Sequence, residues 1–511
     1  MKKIITHVFA VIAIAIGVSS CNLEEVVYSS MTDNNFPQSV ADAQSMLDGM
    51  YGYVKTNSGS VNMSNTANTG WGWPIWSIGE IGWYGWNMLT TDECKRFSAT
   101  HTIHDFEWGL TTSDWMQTFQ IVKNVSRMTV IIDIIEKMDI NDAKKKTMLS
   151  EAYCLRGLFE YVIWDLFGPV QVTRNPAEID DIKYEAHPSE EDYLSWIIED
   201  FETALPNLYD KTNDNANWGR FNKGFAAMFL SKIYMRQHNW NKAKEYLDKV
   251  KGYGYELEDD YFEPFVNERS KENIYCIPSG PTADNEFFFY TIPHNCMKVF
   301  NVNKKHSSDG QGGYDVNNYW NCICMPWEFY DKFEDKDIRK GGISDSYLNT
   351  DGETIYTREN PGTSSLQYGA IVVKYMYPVE RTKSGNIHSC CFRYADVLLS
   401  LAEVEARIAN APTESAIAYL KKVTDRAGIE IPANATSSID AFLAYILEER
   451  GREFYFEGWR RDDLLRYGQY ISNAQARGKT AAKDYHKRMP IPVSVVNESN
   501  GVVAQNPGYS N

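Results

Sequence analysis

FNKGFAAMFLSKIYMRQHNWNKAKEYLDKV, Phe221 to Val250, restricts the fold more than any other stretch of the chain. Phe225, Phe229 and Ile233 recur on one helical face, while the small Ala226 and Ala227 let a neighbouring backbone come close. Ala243, Leu247 and Val250 make the apolar face of a second helix, and Asn239 between the two can cap it with its side chain. This is a helix–turn–helix of tetratricopeptide-like size. Ala395–Ala409 followed by Thr413–Ala427, turning at Pro412 and Thr413, is another. Units of this kind bury their faces only by stacking on neighbours. Because the repeats are degenerate, the expected fold is mainly α: an irregular tetratricopeptide-like helical-pair scaffold with large loop-rich insertions and a few short strands.

Further helices are predicted at Val40–Val54, Trp115–Met138, Ala143–Phe167, Glu190–Leu208, Ile439–Phe456 and Arg460–Tyr470. Between Glu256 and Cys391 the chain changes to short β-type runs, Asn273–Ile277, Glu286–Ile292 and Ala370–Tyr377, among Gly, Asn and Asp. The tail from Met489 reads as extended.

The N-terminus has the form of a secretion signal. Lys2 and Lys3 precede an apolar run from Val8 to Val18, then Ser19, Ser20 and Cys21. That run is far below the ~20 residues a membrane span requires. Cleavage before Cys21 resembles lipobox processing and would leave this cysteine as the lipidated first residue; Glu24 and Glu25 behind it resemble an acidic surface-export tag. The mature chain would then hang from a membrane by acyl chains. The other cysteines, including Cys322, Cys324 and the adjacent Cys390 and Cys391, form no recognisable disulfide or zinc framework and read as free or buried.

The most unusual stretch is WGWPIWSIGEIGWYGW, Trp71 to Trp86, with five of the chain's 14 tryptophans. Its glycines interrupt both helical and strand periodicity, so it reads as a shaped loop. A net charge of −17 argues against a nucleic-acid partner, whose phosphates need Lys and Arg. An aromatic content of 14% instead suits neutral, sugar-like ligands. A sugar ring has one apolar face and a rim of hydroxyls, which an aromatic plane and amide edges can hold. Trp71, Trp73, Trp83, Tyr84 and Trp86 would supply planes, and Asn87 an edge. SSDGQGGYDVNNYW, Ser307 to Trp320, repeats the chemistry with Asn318, Tyr319 and Trp320. Trp76, beside Ile75 and Ile78, looks core-like, and Trp164, Trp196, Trp218, Trp240 and Trp459, within or beside helical blocks, read as core or helix-junction residues.

Six blocks in order, SEAYCLRGLFEYVIWDLFGPV (Ser150–Val170), GRFNKGFAAMFLSKIYM (Gly219–Met235), MPWEFYDKFEDKDIRK (Met325–Lys340), FRYADVLLSLAEVEAR (Phe392–Arg407), ILEERGREFYFEGWRRDDLLRYGQY (Ile446–Tyr470) and PIPVSVV…QNPGY (Pro490–Tyr509), resemble the signature blocks of the SusD/RagB family. The resemblance implies a lipoprotein of the outer membrane and cell surface, without catalysis or cofactor. It would capture oligosaccharide or polysaccharide and deliver it to a SusC-like TonB-dependent transporter. It also implies a signal peptide over 1–20, a lipidated tether over 21–36 and a single domain over 37–511. That domain divides into a helical half at about 37–255, a loop-rich middle at 256–391 and a helical part with an extended tail at 392–511. The alternative within the family is peptide cargo.

A glycoside hydrolase needs two carboxylates at fixed separation, for which Glu448/Glu449 and Asp462/Asp463 are candidates. Their setting among Arg450, Arg452, Arg460, Arg461 and Arg466 on predicted helices points instead to ion pairs that fix packing. His101 and His104 lie in loop or β-type sequence, which weakens a metal reading. Asp309, Gln311 and Asp315 lack the glutamate that closes a calcium loop, Asn321 standing in its place. No metal site is expected.

Overall fold

The computed structural model describes residues 39–54, 75–76, 82–96, 102–110, 118–179, 183–213, 215–278, 287–316, 323–376 and 388–509. The described residues from Gln44 onward fall in one compact unit. Helices dominate, as the periodicity predicts. Val122–Lys137 packs on Asp142–Phe167, which packs on Glu190–Ala204, and the series continues through Lys223–Arg236 and Trp240–Lys251 to Tyr394–Ala409, against which both Glu414–Ala427 and Ile439–Phe454 pack. The two expected pairs, Lys223–Arg236 with Trp240–Lys251 and Tyr394–Ala409 with Glu414–Ala427, each pack on one another, in keeping with a tetratricopeptide-like scaffold. Asn239 accepts from the Lys242 amide, the cap predicted for it, and Asn141, Ser189, Asn222, Thr413 and Ser438 also cap their own helices.

Asp142–Phe167 is the axis of the N-terminal half. From Ser150 to Phe167 only Tyr153 escapes full burial, so this helix is covered on all sides. The C-terminal pair closes around Leu398, Leu399, Leu420, Val423, Phe442 and Ile446.

The middle region holds the strands. β1 (Lys95–Arg96), β5 (Ile323–Pro326), β9 (Gly369–Val372) and β6 (Ile343–Ser344) form one four-stranded sheet in that order. β3 (Cys296–Val299), β4 (Tyr314–Asp315), β7 (Ser346–Asn349) and β8 (Ile355–Thr357) form another, and β2 (Asn273–Ile277) pairs with β10 (Ser389–Arg393).

Four local expectations change. Glu286–Ile292 is a β-type run in sequence, yet Phe287–Thr291 is helical, its turn closed by Ile292 N–H on Phe288 O at 2.9 Å. Packing of Phe287 on Tyr375 and Phe456 outweighs aromatic strand preference here. The tail contains a helix, Val493–Glu498, entered from Pro492, whose fixed φ suits a helix start despite the valines that follow. Arg460–Tyr470 is two helices, Arg460–Arg466 and Tyr470–Ala476, parted at Gly468 with φ +69°. Trp83–Leu89 is a helix rather than the end of a loop, and all seven of its residues are buried.

Candidate functional site

The helix Trp83–Leu89 packs against Arg460–Arg466. Trp83 and Trp86 stand three positions apart and Asn87 one further, a helical spacing that the neighbouring glycines obscure in the sequence. Trp83, Tyr84 and Trp86 are 2%, 3% and 1% exposed. Trp83 lies edge-on to Trp76, Tyr161 and Trp459, with ring centroids at 5.2, 6.1 and 5.5 Å. Tyr84 donates its hydroxyl to Phe456 O, and its ring lies where a Cβ on Gly458 would come within 2.5 Å. Trp86 meets Trp108 edge-on at 5.4 Å, and Trp108 donates to the Tyr509 hydroxyl. These planes belong to the interior, and so does Asn87, 1% exposed, whose Oδ1 faces Arg461. They correct the reading of Trp83, Tyr84, Trp86 and Asn87 as ligand-facing: burial of large rings against the helical blocks stabilises the fold more than a solvent-facing position would. Trp76 is buried as expected.

Beneath the rings lies a charged layer. Asp165 accepts from Trp83 Nε1 at 2.7 Å, from Arg461 at 2.7 Å and from Arg236 at 3.0 Å. Burial alone would raise the Asp165 carboxyl, but the two guanidiniums hold it below the usual carboxylate range. The proposed hydrolytic carboxylates belong to similar pairs. Glu448 is bound to Lys332 and Arg460, Glu449 to Arg339 and Arg452, Asp462 to Arg236 and Arg466, and Asp463 to Arg450 and Arg466. Asp309 and Asp315 are bridged by the Lys298 ammonium at 3.2 and 3.3 Å. His104 turns Nδ1 to Leu89 O at 3.2 Å, and Asp105 pairs with Lys479.

Trp71, Trp73, Asn318, Tyr319, Trp320 and the lipidation candidate Cys21 lie outside the described residues. The strands that flank two of these segments are joined. β1, five residues beyond the tryptophan helix, pairs antiparallel with β5, which directly follows residues 317–322, in register Lys95 with Cys324 and Arg96 with Ile323. On the other side Ile75 N–H donates to Tyr53 O at 2.9 Å, and Tyr84 N–H to Ile75 O at 3.0 Å. A row of rings, Phe456, Phe287, Phe288 and Tyr314, runs from the partner of Tyr84 to β4, which ends just before residue 317. Beside β1 and β5 opens a cleft of about 420 Å³ with Asp92, Lys95, Glu328, Lys332, Arg477 and Lys479 on its walls, a mixed-charge surface. Sequence reasoning did not find this cleft, because its residues come from four separated stretches.

Fold and strand pairing together define an irregular tetratricopeptide-like scaffold whose aromatic segments are flanked by one sheet. The model of the SusD family matches residues 349–509 of this chain. The chain is similar to SusD-like protein P25 of Formosa agariphila, 23% identical with 96% of each chain covered. It is likewise 23% identical to the starch-binding protein SusD of Bacteroides thetaiotaomicron, over 84% of this chain and 86% of that one. Among solved structures, a laminarin binding SusD-like protein superposes with a TM-score of 0.70 at 20% identity, covering 92% of this chain and 99% of that one.

Proposed function

We propose that the protein is a cell-surface glycan-binding lipoprotein, anchored through Cys21, that captures oligosaccharides and passes them to a SusC-like TonB-dependent transporter in the outer membrane. The observation that carries the reading is the likeness, over most of the chain, to a starch-binding and a laminarin-binding protein. Among the described residues no helix is long and apolar enough to cross a membrane, which agrees with attachment by acyl chains. With Trp83, Tyr84, Trp86 and Asn87 in the interior, the ligand contacts fall to Trp71, Trp73, Asn318, Tyr319 and Trp320. Capture is then apolar stacking with amide edges, tolerant of salt, and involves no catalysis, cofactor or metal at the glycan site. The mixed charge of the cleft beside β1 and β5 favours a second reading, peptide cargo for the same transporter.

Affinity electrophoresis or calorimetry of residues 22–511 against a panel of soluble polysaccharides and peptides tests both. Retention by one glycan class, lost in a folded W71A/W73A or Y319A/W320A variant, supports capture at these segments. Retention by peptides alone, unchanged in those variants, supports the second reading and overturns the first.

A further inference from the structure

β2 and β10 place Cys276 directly opposite Cys390 in an antiparallel register, and His388 stands at the entrance to β10. All three side chains are fully buried. Their ligand atoms lie within 4.8 Å of one another, and the two sulfurs are 3.6 Å apart. Two thiolates bound at ~2.3 Å to a tetrahedral zinc ion stand about 3.8 Å apart, so the observed spacing is that of sulfurs sharing one ion. From these convergent donors we infer that Cys276, His388 and Cys390 form a structural site for a soft d¹⁰ cation, zinc being the ion to test first.

The surroundings agree with the chemistry of such a site. His388 Nε2 is 2.7 Å from Pro264 O, the kind of backbone-carbonyl contact that orients a metal-binding imidazole. Two oxygens lie near Cys390 Sγ, Pro264 O at 3.2 Å and Asn273 Oδ1 at 3.5 Å, and Asn273 Nδ2 donates to the same Pro264 carbonyl at 3.0 Å. The Tyr375 ring meets His388 edge-on at 5.9 Å, and its hydroxyl accepts from the Cys390 amide, so the outer wall is packed. On binding, the two thiols release their protons to solvent and no electron is transferred. Zinc, two thiolates and a neutral imidazole carry no net charge, which lets the centre sit in an interior where a lone ion would be costly. Cys391, next in the chain, turns away: its sulfur approaches Ser389 O at 3.8 Å, and its carbonyl accepts from Trp459. A disulfide between Cys276 and Cys390 would use the same register but gives His388 no role.

The test uses residues 22–511 prepared without chelators. Elemental analysis should find one zinc ion per chain, and replacement by cobalt(II) should give the near-ultraviolet thiolate-to-metal band and the visible bands of a tetrahedral centre. Cys276→Ser and Cys390→Ser should lose the ion and the band, whereas Cys391→Ser should keep both. Zinc retained by the first two variants overturns the site. So does a Cys276–Cys390 disulfide found by mass spectrometry in the protein as isolated. Should the serine variants fail to fold, cobalt titration of the wild-type chain decides: absence of the thiolate band overturns the inference.

Discussion

Trp83 donates its indole N–H to Asp165 Oδ2 over 2.7 Å, the same oxygen that accepts from Arg461. A ring from the most aromatic stretch of the sequence is thereby tied to the charged layer beneath it. Trp83→Phe keeps much of the packing and removes the donor, with an expected loss of about 1–3 kcal/mol. Asp165→Asn strands Arg461 and Arg236 in the interior and should cost about 3–5 kcal/mol. Urea denaturation of both variants gives the comparison; equal midpoints would contradict the assignment.

Core and ligand tryptophans should separate cleanly. Trp86→Ala removes a buried ring and should lower stability by about 3–5 kcal/mol. W71A/W73A should leave the thermal midpoint within a few degrees of wild type and abolish glycan retention. A large stability loss in the double variant would return those residues to packing.

Gly458 has φ +81°, and a Cβ there would stand 2.5 Å from the Tyr84 ring. Gly458→Ala therefore combines backbone strain with a clash against a wedged side chain. Destabilisation of more than about 2 kcal/mol is expected, with altered near-ultraviolet circular dichroism from the adjacent rings. An unperturbed spectrum would show that the ring can move aside.

Glu93 is fully buried, and burial raises its carboxyl well above the usual range, although Arg460 and Lys374 pull the other way. The folded chain holds this proton at pH values where the unfolded chain has lost it. Glu93 therefore supports the fold most below the ordinary glutamate pKa, and its contribution declines as pH rises above about 4.3. Glu93→Gln should be more stable than wild type at pH 7, and the gain should shrink by pH 4. Denaturation midpoints at the two pH values check the sign.

Asp396 and Glu453 behave oppositely. Burial would raise both, but Lys232 and Arg450 beside Asp396, and Arg426, Arg393 and Arg339 beside Glu453, hold them far below the carboxylate range. Their contribution is complete above about pH 4 and fades as pH falls toward their folded values. Acid unfolding should begin below about pH 4, and Glu453→Gln should weaken the fold at pH 7 by several kcal/mol. Acid titration followed by circular dichroism measures the onset.

The helical pairs were legible because their evidence is local. Phe225, Phe229 and Ile233 share a face by spacing alone, and Asn239 caps the next helix through a contact three residues long. The ionic reading of Glu449, Asp462 and Asp463 also held, since alternating charges on helices invite pairing, although partners such as Arg339 and Arg236 come from far along the chain. What misled was Trp83–Leu89: glycines marked a loop, but a turn of helix with every side chain buried tolerates glycine when packing stabilises it.

By itself the sequence determined the helical scaffold and the Asn239 cap, since periodicity and capping chemistry are properties of neighbouring residues. Tertiary structure alone decided that Trp83 and Trp86 belong to the core, that β1 and β5 join the flanks of two separated segments, and that Cys276, His388 and Cys390 converge. Each of those depends on contacts between residues tens to hundreds of positions apart, and a side chain's exposure is set by what packs on it.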